Sequence, residues 1–242
     1  MIKRKYYTGT ISKSTAKYIA LTSLLLSTAF LSGCHSDDET RSFDISVRNV
    51  TANQPLSPIG VVLHKTGYHA WIDGQAASVS LEHLAEGGDN SALITDANAI
   101  DTTLQATSGA QPVGPGGSTQ FQLSINNETD IRLTLFSMLV NTNDAYTGIN
   151  AAKLSDLTVG QSLSLSLPAW DSGTEANSEA QGTMPGPADG GEGFNANRDD
   201  FLDLVGIHRG VLSSDDGLAS SILNQSHRFD NPVMQVRITR TQ

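Results

Sequence analysis

The sequence predicts an all-β protein, an antiparallel β-sandwich with long loops and one short helix. Three observations carry that prediction. Apolar and polar residues alternate in several short runs, the two-residue period of a half-buried strand. Clusters of Gly, Pro, Asn and Asp separate those runs at regular intervals. Long stretches with a 3.6-residue period are nearly absent.

In order, "SFDISVRNVT" places Phe43, Ile45 and Val47 on one face and Asp44, Ser46 and Arg48 on the other. "SPIGVVLHK" holds a more fully apolar strand, Ile59 to Leu63. "SVSLEHLAEGGD" reads as the helix: Leu81, Leu84 and Ala85 share a face and Gly87-Gly88 stop it. Glu86 and Asp89 then belong to a helix terminus and a turn. "VGPGGSTQ" is a hairpin turn leading into "FQLSI", with Phe121, Leu123 and Ile125 on one side. "IRLTLFSMLV" alternates and then becomes apolar on both sides, as a central strand does. "QSLSLSLPAW" alternates through Leu163, Leu165 and Leu167, and "NPVMQVRITRT" closes the chain. The Gly-rich stretch between Asp171 and Asp203 is read as a long loop, functional or disordered, with "DGGEGFNANRDD" inside it as a mobile loop.

The N-terminus reads as a targeting signal. Lys3, Arg4, Lys5, Lys13 and Lys17 precede an apolar run from Tyr18 to Phe30, too short for a comfortable membrane span. "LSGC" follows, and it resembles a bacterial lipobox, which implies lipidation of Cys34. The predicted organisation is a signal peptide at 1–33, a tether at 34–41 and one domain at 42–242. His35 after the cysteine points to an outer-membrane lipoprotein. Cys34 is the single cysteine, so no intrachain disulfide exists.

The leader holds five of the fifteen basic residues and none of the twenty-five acidic ones. The remainder therefore carries ten basic against twenty-five acidic residues. That balance excludes nucleic acid as a partner and direct attraction to an anionic bilayer. Membrane attachment is left to the lipid on Cys34.

Two loops of small residues carry acids without a neighbouring Lys or Arg: "NTNDAYTGIN" with Asp144, and "WDSGTEANSE" with Asp171 and Glu175. Asp144 follows the central strand and Asp171 follows the Leu163–Leu167 strand, so both sit at strand ends. Held together, the three carboxylates repel, and a divalent cation removes that cost. Oxygen ligands on loops suit Ca²⁺. The other role open to these residues is local turn capping. The six histidines, His35, His64, His69, His83, His208 and His227, are scattered, which argues against zinc. No G-x-S-x-G or phosphate-loop signature occurs.

"MLVNTNDAYTGIN" and "AWDSGTEANSE" resemble the spondin N-terminal domain, with further likeness in "FDISVRNVT", "PLSPIGVVLH", "LAEGGD", "MPGP" and "NPVMQVRITR". The resemblance runs from Ser42 to Arg240. It implies a C2-like β-sandwich, found in extracellular matrix and adhesion proteins, with a Ca²⁺ site in loops at one end. Carried over, it makes Asp144, Asp171 and Glu175 the metal ligands; Glu175 stands where relatives tend to have aspartate. The expected function is a lipid-anchored, calcium-binding adhesion or matrix-interaction module without enzymatic activity. Its expected partner is an extracellular or envelope protein or a glycan. Two alternatives are a carboxylate-based polysaccharide hydrolase and a structural envelope lipoprotein without metal.

Overall fold

The computed structural model describes residues 39–242 except Asp199. The leader at 1–33, Cys34 and most of the tether lie outside the described residues. The chain runs β1 (Thr40–Asn49), β2 (Gly60–His64), α1 (Val79–Gly87), α2 (Ser91–Asn98), β3 (Thr103–Ser108), β4 (Ser118–Asn126) and β5 (Arg132–Met138). It continues through β6 (Ala145–Lys153), β7 (Ser162–Leu167), β8 (Ala169–Asp171), β9 (Gly206–Ile207) and β10 (Met234–Arg240). β1 opens inside the span read as tether.

Two antiparallel sheets form the expected all-β sandwich. The four-stranded sheet has the order β4-β1-β10-β7, and the six-stranded sheet β3-β2-β5-β6-β8-β9. In the first sheet the alternation works as the sequence predicts. Phe43, Ile45 and Val47 of β1, with Val236 and Ile238 of β10, turn inward; Asp44, Arg48, Gln235 and Arg237 face solvent. Facing them across the core are Val61 and Leu63 of β2 and Leu133 and Leu135 of β5. Each such side chain contributes about 1.5–3 kcal/mol by leaving water.

The outer face of the six-stranded sheet is also covered. Val62, Phe136 and Tyr146 point there, against Leu81 and Leu84 of α1, Leu93 and Ala97 of α2, and Trp71. β2 is therefore buried along its whole length, which explains its continuous apolar run. β5 lies between β2 and β6, the central position its sequence indicates. Ser78 caps α1 by accepting from Leu81 N–H, and Gly88 ends it in the left-handed conformation.

Several elements differ from the sequence reading. Among the described residues there are two α-helices, not one. α2 has eight residues and buries only Leu93 and Ala97, too little for a visible stripe. β3 presents no alternating apolar face. The stretch 141–150 is read as a loop, yet the loop ends at Asp144 and Ala145–Lys153 is a strand. Its small residues fit because β5 and β8 flank it and its first half is buried on both faces. Asp171, likewise read as a loop residue, is the last residue of β8.

Candidate metal centre

Strand register brings the first two acids together. β6 pairs with β8 so that Ala145 lies opposite Asp171 and Tyr146 opposite Trp170. Asp144 immediately precedes that pair. On the other side Asp171 pairs with Gly206 of β9, and His208 just beyond donates its backbone N–H to Ala169 O at 3.0 Å. Beneath them Trp71 packs edge-on against Tyr146, with ring centroids 5.2 Å apart, and 6.0 Å from Trp170. Three adjacent strands thus bring Asp144, Asp171 and His208 together at their ends. Ligand atoms of the three lie within 4.8 Å of one another.

Asp144 is fully buried. Its Oδ2 accepts from Ser172 Oγ at 2.8 Å, Thr174 N at 3.0 Å and Glu175 N at 3.3 Å. Its Oδ1 has no hydrogen-bond partner. Burial raises the Asp144 pKa well above the carboxylate range, and the charge of Asp171 raises it further; the three donors oppose both. A buried acceptor left open beside a second carboxylate is poorly stabilised unless a proton or a cation neutralises it.

Asp171 is held from two sides. Its Oδ1 accepts from Gly173 N at 2.9 Å and its Oδ2 from Asn177 Nδ2 at 2.8 Å. Gly173 has φ +71°, and a Cβ there would lie 2.5 Å from Leu204 N, so this tight turn requires glycine. His208 Nδ1 accepts from Gly210 N at 3.0 Å, which assigns the proton to Nε2; that nitrogen lies 2.9 Å from Asn177 Oδ1. Burial lowers the His208 pKa, opposed by Asp171. The neutral ring already uses its lone pair, so it orients Asn177 and offers no free ligand atom.

Glu175 departs from the expected cluster. Its backbone reaches Asp144, but its carboxylate turns elsewhere. Oε1 accepts from Asn143 Nδ2 at 2.7 Å and lies 3.0 Å from Arg198 Nε; Oε2 has no hydrogen-bond partner. Burial pushes the Glu175 pKa up to about 7, while Asn143 and Arg198 lower it and Glu86 raises it. The sequence reading of acids without histidine or basic neighbours is thereby corrected: His208 stands beside Asp171, and Arg198 pairs with Glu175. Glu86 is more than a helix-terminus residue. It is buried, accepts from Asn195 N at 3.0 Å through Oε2, and leaves Oε1 without a partner.

The donor chemistry fits a hard divalent cation. Asp144 and Asp171 offer carboxylate oxygens, one with an open buried lone pair, and among the described residues no thiolate or free imidazole nitrogen adjoins them.

The Spondin_N family model matches residues 50–184, more than half of the chain. The chain belongs to the spondin N-terminal domain family. A search of curated proteins returned no match. Membership points to an extracellular adhesion or matrix module. The spondin match includes Asp144, Asp171 and Glu175 but ends before Arg198 and His208. No local spacing in the sequence signals those two, because both join the site only through long-range folding.

Proposed function

We propose that this spondin domain is a lipid-anchored cell-envelope adhesion or matrix-interaction module whose strand-end loops are fixed by Ca²⁺. The observation that carries this is Asp144 Oδ1, a buried acceptor without a partner beside the Asp171 carboxylate. Asp144 and Asp171 hold the ion. Glu175 supplies a third carboxylate on exchanging Arg198 for it, so the ion pair and calcium compete. A bound cation supplies charge neutralisation and rigidity; backbone carbonyls and water fill the remaining positions.

The anchor is the lipid on Cys34, in the outer membrane. Among the described residues no helix is long and apolar enough to cross a membrane. Binding is favoured over hydrolysis because a glycosidase needs two carboxylates flanking the bound sugar. Asp144 and Glu175 are closed off, at 0 % and 2 % exposure.

Thermal unfolding of the purified protein tests the proposal. Extracellular modules bind calcium with Kd about 10⁻⁴–10⁻³ M, and at ten times Kd the gain is about 1.4 kcal/mol. For a domain of this size that raises Tm by about 3–5 °C. The expected rise between EGTA and about 10 mM Ca²⁺ is absent in Asp171→Asn. No rise in the native protein overturns the calcium site and leaves the acids as turn caps.

A further inference from the structure

Exposed apolar side chains are concentrated in one place. Among the described residues nine large hydrophobics are exposed, and five of them, Phe201, Leu202, Leu204, Ile207 and Leu212, fall within positions 201–212. Single exposed hydrophobics are ordinary; a contiguous group marks a contact surface. Four of the five, all but Phe201, line a cleft of about 560 Å³. Ile207 belongs to β9, the outermost strand of the six-stranded sheet, so the cleft runs along a sheet edge. These apolar walls lie beyond the stretch that matches the family.

The polar lining has a sign. Asp171, Glu179 and Asp200 border the cleft, against Arg209 alone. Glu179 lies within the wall at 2 % exposure, and among the described residues its Oε2 has no hydrogen-bond partner. Asp200 and Asp203 bracket Phe201 and Leu202 in sequence.

We infer that this cleft is a docking site for an extended segment of a partner protein that presents a Lys or Arg flanked by aliphatic side chains. The aliphatic neighbours cover Leu202, Leu204, Ile207 and Leu212. The cation meets Asp200 at the border of the cleft, and the carboxylates of Asp171 and Glu179 in its wall add negative potential. Charge decides among occupants. An anionic bilayer is repelled by the acids bordering the apolar tip, and a second copy would set acid against acid. Sugars favour aromatic platforms over aliphatic walls. The inference rests on the binding-module reading but not on its calcium site.

Calorimetric titration of the purified full chain tests it, with end-capped Ser-Leu-Lys-Leu-Ser, Ser-Leu-Glu-Leu-Ser and Ser-Ser-Lys-Ser-Ser peptides as probes, each in Ca²⁺ and in EGTA. The lysine–leucine peptide is expected to bind at least about tenfold more tightly than either control. Leu204→Ser combined with Leu212→Ser, both at exposed positions, is expected to weaken it about tenfold with an unchanged Tm. Equal affinity for the three peptides, no binding of any, or an unaffected double variant overturns the inference. So does capture of the native protein by phosphatidylglycerol vesicles that the double variant has lost, or a concentration-dependent dimer that the double variant has lost. Loss of peptide recognition with the calcium response intact removes the cleft alone. The reverse result removes the calcium site alone.

Discussion

The four-stranded sheet and the loop end around Asp144 treat polar groups in opposite ways. In the sheet, apolar side chains fill the inward positions and hydroxyls pair across strands. Ser42 Oγ meets Ser124 Oγ at 2.8 Å, and Ser162 Oγ meets Thr239 Oγ1 at 2.8 Å. Among the described residues, none of the buried polar atoms without a partner belongs to β1, β4, β7 or β10. At the loop end, Asp144 Oδ1, Glu175 Oε2, Glu179 Oε2 and Glu86 Oε1 are all buried acceptors without partners. Each such group lowers stability by about 1–3 kcal/mol unless it is protonated or met by a cation. The contrast teaches that one region supplies the stability and the other loses part of it to buried carboxylates left without partners.

The largest expected effect comes from breaking the satisfied region. Phe43 is completely buried between the sheets, and Phe43→Ala should cost about 3–5 kcal/mol. Against a total stability of about 5–15 kcal/mol, urea unfolding should show a large drop in midpoint. An effect below about 1 kcal/mol would mean that the inter-sheet core is not the main support.

Next is the cation paired with Glu175 at the loop end. Arg198→Met strips Glu175 of its ion pair and should cost about 3 kcal/mol in EGTA, since breaking a buried pair strands its partner. Adding Glu175→Gln should recover most of that loss, a coupling that a double-mutant cycle reads directly. The single Arg198→Met variant should also bind calcium more tightly. Additive losses would show that Arg198 acts through something other than Glu175.

A smaller effect follows from Glu179. Burial pushes its pKa from the ordinary 4.5 up to about 7, partly offset by Leu212 N–H. The folded state therefore holds this proton more tightly than the unfolded chain. The stabilisation is complete below about pH 4.5 and is lost as pH rises to about 7. Glu179→Gln should gain about 1–3 kcal/mol at pH 8 relative to the native protein and nothing at pH 4. Equal Tm differences at both pH values would refute the titration.

The smallest effect belongs to the outer face of the satisfied sheet. Gln122 on β4 is exposed and lies opposite Asp44, so Gln122→Ser should stay within about 0.5 kcal/mol. A larger change would mean that this face, too, is covered by something.

Much of the fold was legible because its signals are local. Phe43-Ile45-Val47 and Leu163-Leu165-Leu167 show a period of two, since their strands have one face in the core and one in water. β6 hid itself because burial on both faces removes alternation, and α2 because two buried side chains make no stripe. At the site, Asp144 and Asp171 were visible as acids in small-residue surroundings. The roles of Glu175, Glu86 and His208 were not, because their partners lie 23, 109 and 31 residues away in sequence, at Arg198, Asn195 and Asn177.

The sequence by itself determined the all-β class, the alternating strands, the helix that Gly87-Gly88 stop and the acids at the strand ends. Each depends on side chains within a few residues of one another. Only the tertiary structure decided that Asp171 faces Asp144 and His208, that Arg198 holds Glu175, and that the aliphatic side chains between 202 and 212 open onto an acidic cleft. Those outcomes depend on strand register and on the return of the segment between β8 and β9, and register is set by the packing of the whole sandwich.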